Sequence, residues 1–559
     1  MNLLELLLLL IAVAGGLRIL AQRWGVPHPV LLVLGGLVVA LIPGLPQPNV
    51  DPELLFVIFV PPLLYWSALT ISLREMRTFS GPIVRLATGL VIVTMCAVAA
   101  VVHFLAPMVG WPEAFVLGAI VSPPDPVAAT AVLRPLGAPR DVTTILEGEG
   151  LINDATALVA YRLAVAAVVA GSFSFWHATE SFVLTGIGGV AVGAIAGWLI
   201  AWVRTHIPHV VVVENALSLL SPFIAYLPAD ALHVSGVLAV VTMGMYLGVK
   251  GPHVVAPATR LQAGAMWSMV SFLLESLIFM LVGLELPRVI VALRSHSLTQ
   301  LVEIVLAVTA VCILVRFVWV CISIYIADAD RRGNRRSSAS KSKRWKKPFF
   351  IAWAGLRGAD SLVIALALPF TIHGGAPFPA RDLIIFVTFG VIFCTLVLQG
   401  FSLAPLVRKL GLEEDGTEAD EERLVRVAMV DAALEKLHAV AKSEQLPTAV
   451  VEKMQEEYRH LRRAASQTHV PQKQGGFDAA AYRALHRRMQ AVERAELLRL
   501  ADSGKIGGDV MRHVQRQQDL RDLLLAYDEE AGSDSHEHLA AGDDFTAERE
   551  EEDETERPG

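Results

Sequence analysis

The sequence predicts an all-α polytopic membrane protein, with about thirteen transmembrane helices followed by a helical cytoplasmic tail. Three observations lead there. Of 559 residues, 54% are hydrophobic, and the mean hydropathy is +0.52, a mixture that a water-soluble globule cannot hide. Apolar windows of roughly 17–28 residues recur from Leu3 to about Val407, each near the length that crosses a bilayer. The charge is also divided: the part after Leu410 carries 34 acidic and 20 basic residues, in a chain whose formal net charge is −7. A basic membrane part therefore precedes an acidic tail.

The apolar windows fall at 2–22, 28–46, 53–70, 82–106, 112–134, 142–171, 180–204, 209–228, 233–249, 266–287, 299–327, 349–370 and 382–408. The first, "MNLLELLLLLIAVAGGLRIL", has no basic residue ahead of its apolar run and carries Glu5, so it reads as a retained span and not a cleaved signal. Arg18, Arg23, Arg74, Arg77, Arg85, Arg134, Arg140, Arg204, Lys250, Arg260 and the stretch "RRGNRRSSASKSKRWKK" (331–347) fall on one side of the membrane. The positive-inside rule then puts the N-terminus outside and the tail in the cytoplasm, with Arg288 and Arg294 as exceptions. The 331–347 loop is read as an orientation signal that touches anionic lipid, not as a nucleic-acid arm. Pro61–Pro62 in the third window is a break or a tolerated kink. Cys96, Cys312, Cys321 and Cys394 lie at unrelated spacings, which suggests neither a disulfide framework nor a zinc site.

The fifth and twelfth windows stand apart. "SPPDP" (122–126) interrupts one, and "GLRGAD" (355–360), with the charged pair Arg357 and Asp360, interrupts the other. Seven spans separate them, so they cross in opposite directions, as two inverted six-helix repeats (spans 1–6 and 8–13) require. Pro123, Pro124 and Pro126 remove N–H donors in mid-membrane, and the freed carbonyls must face water, protein or an ion. Asp125 can cap the restarting half-helix and can also hold a cation.

The sixth window, "EGEGLINDATALVAYRLAVAAVV", places Asp154 about twelve residues, or ~18 Å, into an otherwise unbroken apolar helix. A terminal cap cannot explain it there, and an intramembrane carboxylate is a functional candidate by default. The short loop "PLGAPRD" makes Asp125 its neighbour. A lone buried aspartate is satisfied by a proton or by a bare monovalent cation, and the two exclude each other. Alternating exposure of one such group to the two sides exchanges protons for cations without covalent chemistry. Asn153 supplies a neutral amide beside it.

At these residues the sequence resembles the bacterial sodium/proton antiporters of the first monovalent cation:proton antiporter family. The matching pieces are "GAIVSPPDPVAATAV", "GEGLINDATALVAYRLAVAA", "SGVLAVV", "LLESLIFMLVGLEL", "LVRFVWV" and "GLRGA", in family order over about residues 1–410. The resemblance implies unwound, crossing fifth and twelfth helices, with Asp154 binding cation and proton in turn. It places Asp125 and the Pro124 carbonyl beside the ion. It pairs Glu149 with Arg316 in a structural role, and it marks Arg357 and Glu275 as intramembrane charges of the site. The Asn153–Asp154 pair is similar to the electroneutral branch. The implied cargo is Na⁺, Li⁺ or K⁺ against H⁺, with no cofactor, in a plasma-membrane homodimer that serves pH and sodium homeostasis and binds no nucleic acid. Two departures concern the ligands: Gly150 stands where many relatives have serine, and Trp66 stands where some have an acid.

The expected organisation is a transmembrane exchanger domain over 1–410, a helical tail over 411–527 and an acidic, disordered end over 528–559. In the tail, "ERLVRVAMVDAALEKLHAVA" puts Leu424, Val427, Ala428, Ala432, Leu434 and Leu437 largely on one face, and "DAAAYRALHRRMQAVERAELLRLADSGKI" continues in that style. Two rival functions remain. An intramembrane aspartyl protease also needs aspartates on neighbouring spans, but the Gly-x-Gly-Asp signature of such enzymes is missing. A cation channel lacks a pore-loop signature.

Overall fold

The computed structural model describes residues 3–24, 26–42, 51–133, 138–170, 175–207, 210–255, 257–294, 297–331, 345–372, 375–412, 417–443 and 447–466. It divides into two units, Met1–Glu413 and Glu414–Gly559. The first contains α1 (Leu3–Trp24), α2 (His28–Ala40), α3 (Pro52–Thr70), α4 (Leu73–Thr78), α5 (Ser80–Val84), α6 (Val91–Leu105), α7 (Trp111–Val121), α8 (Pro126–Leu133), α9 (Arg140–Ala170) and α10 (Phe175–His206). It continues with α11 (Val211–Ala231), α12 (Gly236–Val254), α13 (Pro257–Ala292), α14 (Leu298–Arg331), α15 (Lys346–Trp353), α16 (Ala359–Leu366) and α17 (Arg381–Leu410). The second contains α18 (Thr417–Ser443) and α19 (Thr448–Ser466). Among the described residues there is no strand, only an isolated bridge between Thr371 and Pro377.

Nine of the described helices are long and apolar enough to cross a membrane, and His28–Ala40, Trp111–Val121 and Gly236–Gly251 are shorter apolar helices. Nine, where the sequence predicts about thirteen, has a local cause. The fifth window is split into α7 and α8, the twelfth into α15 and α16, α2 stops at Ala40 instead of running to 46, and the apolar part of the ninth is only Gly236–Gly251. The fourth window is continuous only through a π-helical turn, Arg85–Leu90, whose Arg85 carbonyl accepts a hydrogen bond from Trp319 Nε1 at 2.9 Å. Helix α3 runs through Pro61 and Pro62, so that pair does not end it.

Lipid, not water, explains the outer surface. Leu184, Ile187, Ile195 and Trp198 on α10 are all more than half exposed, a face no soluble helix would present. Between helices, small residues set the contacts. A side chain at Gly36 would strike the Met280 backbone, and one at Gly283 would strike the Val33 carbonyl, so α2 and α13 lie backbone to backbone. Helix α9 packs against α5, the π-helical turn, α7 and α8, and Asn153 near its middle bonds to Pro124 in the break of the fifth window. All four cysteines are free.

In the second unit α18 packs against α19, and Arg462 pairs with Asp431. The face expected from the sequence is not wholly covered: Leu424 is 70% exposed. The second tail stretch, 478–506, the acidic end and most of the basic loop (332–344) lie outside the described residues.

Candidate functional site

The two interruptions meet. Helix α7 ends at Val121 and α8 begins at Pro126, because three prolines in four residues leave no consecutive N–H donors to carry the helix on. Helix α15 ends at Trp353, and α16 restarts at Ala359 after Gly358 in extended backbone. Between the breaks, the Asp125 N–H donates to the Leu356 carbonyl at 2.7 Å. Gly358 has a spatial reason for being glycine: a Cβ there would overlap the Asp125 carboxyl.

Freed carbonyls at the C-terminal ends of the two leading half-helices are taken up by buried arginines. Arg357, 2% exposed, donates from Nη1 to the Ser122 carbonyl at the end of α7. Arg316 from α14 donates through Nε and Nη2 to the Ile351 carbonyl near the end of α15, at 3.1 and 3.0 Å. Each cation sits at the negative end of a helix dipole. The positive ends, at the starts of α8 and α16, are the ends beside Asp125 and Asp360. Arg316 also pairs with Glu149 of α9, Nη2 to Oε2 at 2.8 Å, with side chains 2% and 1% exposed. Two short bonds in that bidentate arrangement satisfy both charges away from bulk solvent.

Helix α9 brings its own polar pair to the same place. Asp154 stands fourteen residues after Arg140, the first residue of the helix. Asn153, 0% exposed, donates from Nδ2 to the Pro124 carbonyl at 3.2 Å, and its Oδ1 has no partner. Gly150 abuts α8: a Cβ there would run into the Pro126 ring.

A cavity of about 440 Å³ opens here, and Asp125, Asp154, Glu275, Asp360, Glu147 and His28 are among the residues of its wall. Neither Lys nor Arg is found in that wall among the described residues. No three His, Cys, Asp or Glu side chains converge as a metal cage among the described residues, so the carboxylates flank a space instead of enclosing a preformed polydentate centre. The cavity extends to His28 at the start of α2 and to Thr70 at the end of α3. These are the helix ends that adjoin Arg23 and Arg77 in the sequence, the basic side of the membrane part.

Of the residues singled out from sequence, Asp154, Asp125 and Glu275 line the cavity. Pro124 and Asn153 bond to each other behind it, while Glu149, Arg316 and Arg357 brace the half-helices. Trp66 is in the wall too, stacked on Trp267 with ring centroids 5.9 Å apart. Glu147, His28 and Asp360 were given no role by the sequence reading. Glu147 had a legible signal, since it precedes Asp154 by seven residues, two turns along one helical face. Asp360 had one as well, being the acid next to the second break, but it read only as part of the interruption.

Comparison with known proteins bears on what this cavity does. Residues 7–409 match the family model described as sodium/hydrogen exchanger, transmembrane. The chain belongs to the transmembrane sodium/hydrogen exchanger family. A Na⁺/H⁺ exchanger of Mycobacterium tuberculosis is 35% identical over 517 residues, covering 91% of this chain and 93% of that one. A sodium, potassium, lithium and rubidium/H⁺ antiporter of Bacillus pumilus is 35% identical over 393 residues, covering 69% of this chain and 58% of that one. Among solved structures, the sodium proton antiporter MjNhaP1 from Methanocaldococcus jannaschii matches with a TM-score of 0.57 at 18% identity, covering 73% of this chain and 98% of that one. That likeness shows the fold. Members of the sodium/hydrogen exchanger family are membrane transporters that exchange cations for protons, not enzymes, so the neighbouring aspartates are not a protease dyad.

Proposed function

We propose that this exchanger moves Na⁺, with Li⁺ or K⁺ as related cargo, against H⁺ by alternating access around Asp154. The observation that carries the reading is the position of Asp154: deep in the apolar helix α9, in the wall of a cavity bounded by the meeting of two interrupted helices. Asp154 binds a proton or a cation, never both. Asp125 and the Pro124 carbonyl shape the cation's surroundings, and Asn153 holds that carbonyl through its amide. One titrating aspartate beside a neutral asparagine supports one-for-one, electroneutral exchange. No cofactor is required, because the exchange consists only of proton transfer and ion binding.

In this reading the nine long helices, the three shorter ones and the broken α15–α16 make thirteen spans, arranged as two inverted repeats whose broken members cross. The basic side faces the cytoplasm, so the cavity is open inward. The assembly is a plasma-membrane homodimer that serves pH and sodium homeostasis. K⁺/H⁺ exchange is the second reading. It is favoured by Gly150 and Trp66, which leave the site with fewer side-chain oxygens than a strongly Na⁺-selective site would use, and by the mixed cation range named for the Bacillus pumilus relative.

The test is reconstitution of the full chain in proteoliposomes with a pH dye inside, adding Na⁺, Li⁺ and K⁺ in turn. Wild type is expected to move protons on cation addition, and Asp154→Asn to move none. Exchange by Asp154→Asn at the wild-type rate would sink the mechanism.

A further inference from the structure

We propose that Asp360 is a ligand of the transported cation, delivering from α16 the side-chain oxygen that Gly150 leaves out of α9. The inference deepens the cation/proton reading above and rests on it.

Asp360 lines the same cavity as Asp154 and Asp125. Its Oδ1 is buried and has no hydrogen-bond partner, and the fully buried Asn153 next to Asp154 likewise leaves its Oδ1 without a donor. An orphaned buried oxygen is costly, and a carboxylate oxygen more so. Both are the hard, anionic or dipolar oxygens that group I and II cations take. The nearby guanidinium groups do not relieve Asp360. Arg316 is committed to Glu149 and Ile351, Arg357 is hydrogen-bonded to the Ser122 carbonyl, and neither lines the cavity. What satisfies the open Asp360 oxygen is therefore a proton or a cation from the cavity, and the cation is the one that Asp154 shares.

Two further features fit a ligand. Asp360 lies in the first turn of α16, where unpaired N–H groups and the positive end of the helix dipole favour a carboxylate. The alternative source of an oxygen is closed off: at position 150 the Pro126 ring fills the space that any side chain would need. A cation held by Asp154 of the unbroken α9 and Asp360 of α16 would tie α9 to the second interrupted region when loaded, and release it when Asp154 takes the proton instead. Binding would thus be coupled directly to the elements that have to move.

The experiment compares full-length wild type, Asp360→Val and Asp360→Asn in proteoliposomes, reading internal pH over a range of Na⁺ concentrations. Monodispersity in detergent serves as the folding check. The expected result is a rise of about tenfold or more in the Na⁺ concentration for half-maximal exchange in Asp360→Val, with the maximal rate within about twofold. Asp360→Asn, which keeps one oxygen, should show a smaller rise in the same direction. If Asp360→Val does not fold, Asp360→Asn decides alone. An unchanged half-saturation in the folded variants overturns the proposal, and so does loss of exchange at every Na⁺ concentration, which would mark a proton carrier and not a cation ligand. Wild type that moves no protons on Na⁺ addition would instead overturn the exchange reading itself.

Discussion

The carboxyl of Asp125 occupies the space into which Gly358 would otherwise project a side chain, two residues after Leu356, whose carbonyl accepts the Asp125 N–H at 2.7 Å. The two interruptions are thus joined by a main-chain hydrogen bond and by a glycine that makes room for an acid. Gly358→Ala should push Asp125 out of register with the cavity while leaving the extended backbone at 358 accessible to alanine. The expected outcome is protein that inserts and purifies normally but exchanges at least tenfold more slowly, about 1.4 kcal/mol or more in the rate. Rates close to wild type would mean that Asp125 has freedom the packing denies.

The Glu149–Arg316 pair predicts a stability effect of a different kind. Both side chains are at most 2% exposed, so removing one partner strands the other charge in a dry interior, at a cost of about 3–5 kcal/mol. Glu149→Leu should lower the thermal midpoint in detergent markedly. Glu149→Gln together with Arg316→Gln, which leaves no net charge and keeps a donor for the Ile351 carbonyl, should be less damaging than Glu149→Leu. Thermal unfolding of the two variants side by side checks the order, and a harmless Glu149→Leu would contradict it.

The same residues show where sequence reasoning reached and where it stopped. Apolar length and proline placement are local properties, so the long helices, the stop at Val121 and the restart at Pro126 were legible. Asp154 was legible because a charge inside a long apolar helix has few bland explanations. The bond between Asp125 and Leu356 and the reach of Arg357 to Ser122 join residues more than 230 positions apart, and periodicity carries no information about them. Helix α2 was overrun to residue 46 because apolar content does not mark its end at Ala40. Asp360 was visible but mute: its orphaned oxygen exists only once the helices are assembled.

Gly150 yields a third prediction. The family resemblance marks it as a missing hydroxyl, and the Pro126 ring packed against it leaves no room for one. Gly150→Ser should therefore not gain a ligand but displace α8, with slower exchange and a lower thermal midpoint. Adding Pro126→Ala removes the obstructing ring and should recover part of the loss. The two changes would then be non-additive, as expected for residues in contact. Flux measurements on the single and double variants check this, and strict additivity would count against the contact.

The tail supplies a pH prediction. The Arg462 guanidinium, hydrogen-bonded to Asp431, holds that carboxyl below its ordinary value. A carboxylate depressed in the folded state adds stability that is complete above the unfolded value, about 3.9, and is lost as pH falls through the folded one. Hydrogen exchange over α18 and α19 in the full-length protein, corrected for intrinsic rates, should therefore be flat from pH 8 to 5 and show weakened protection only in the acid range. Asp431→Asn should remove that acid-range difference. Because the pair does not titrate near neutrality, Asp431→Asn should also leave the pH profile of exchange between pH 6 and 9 in place. A shifted profile would mean that the pair acts on transport other than by its charge state.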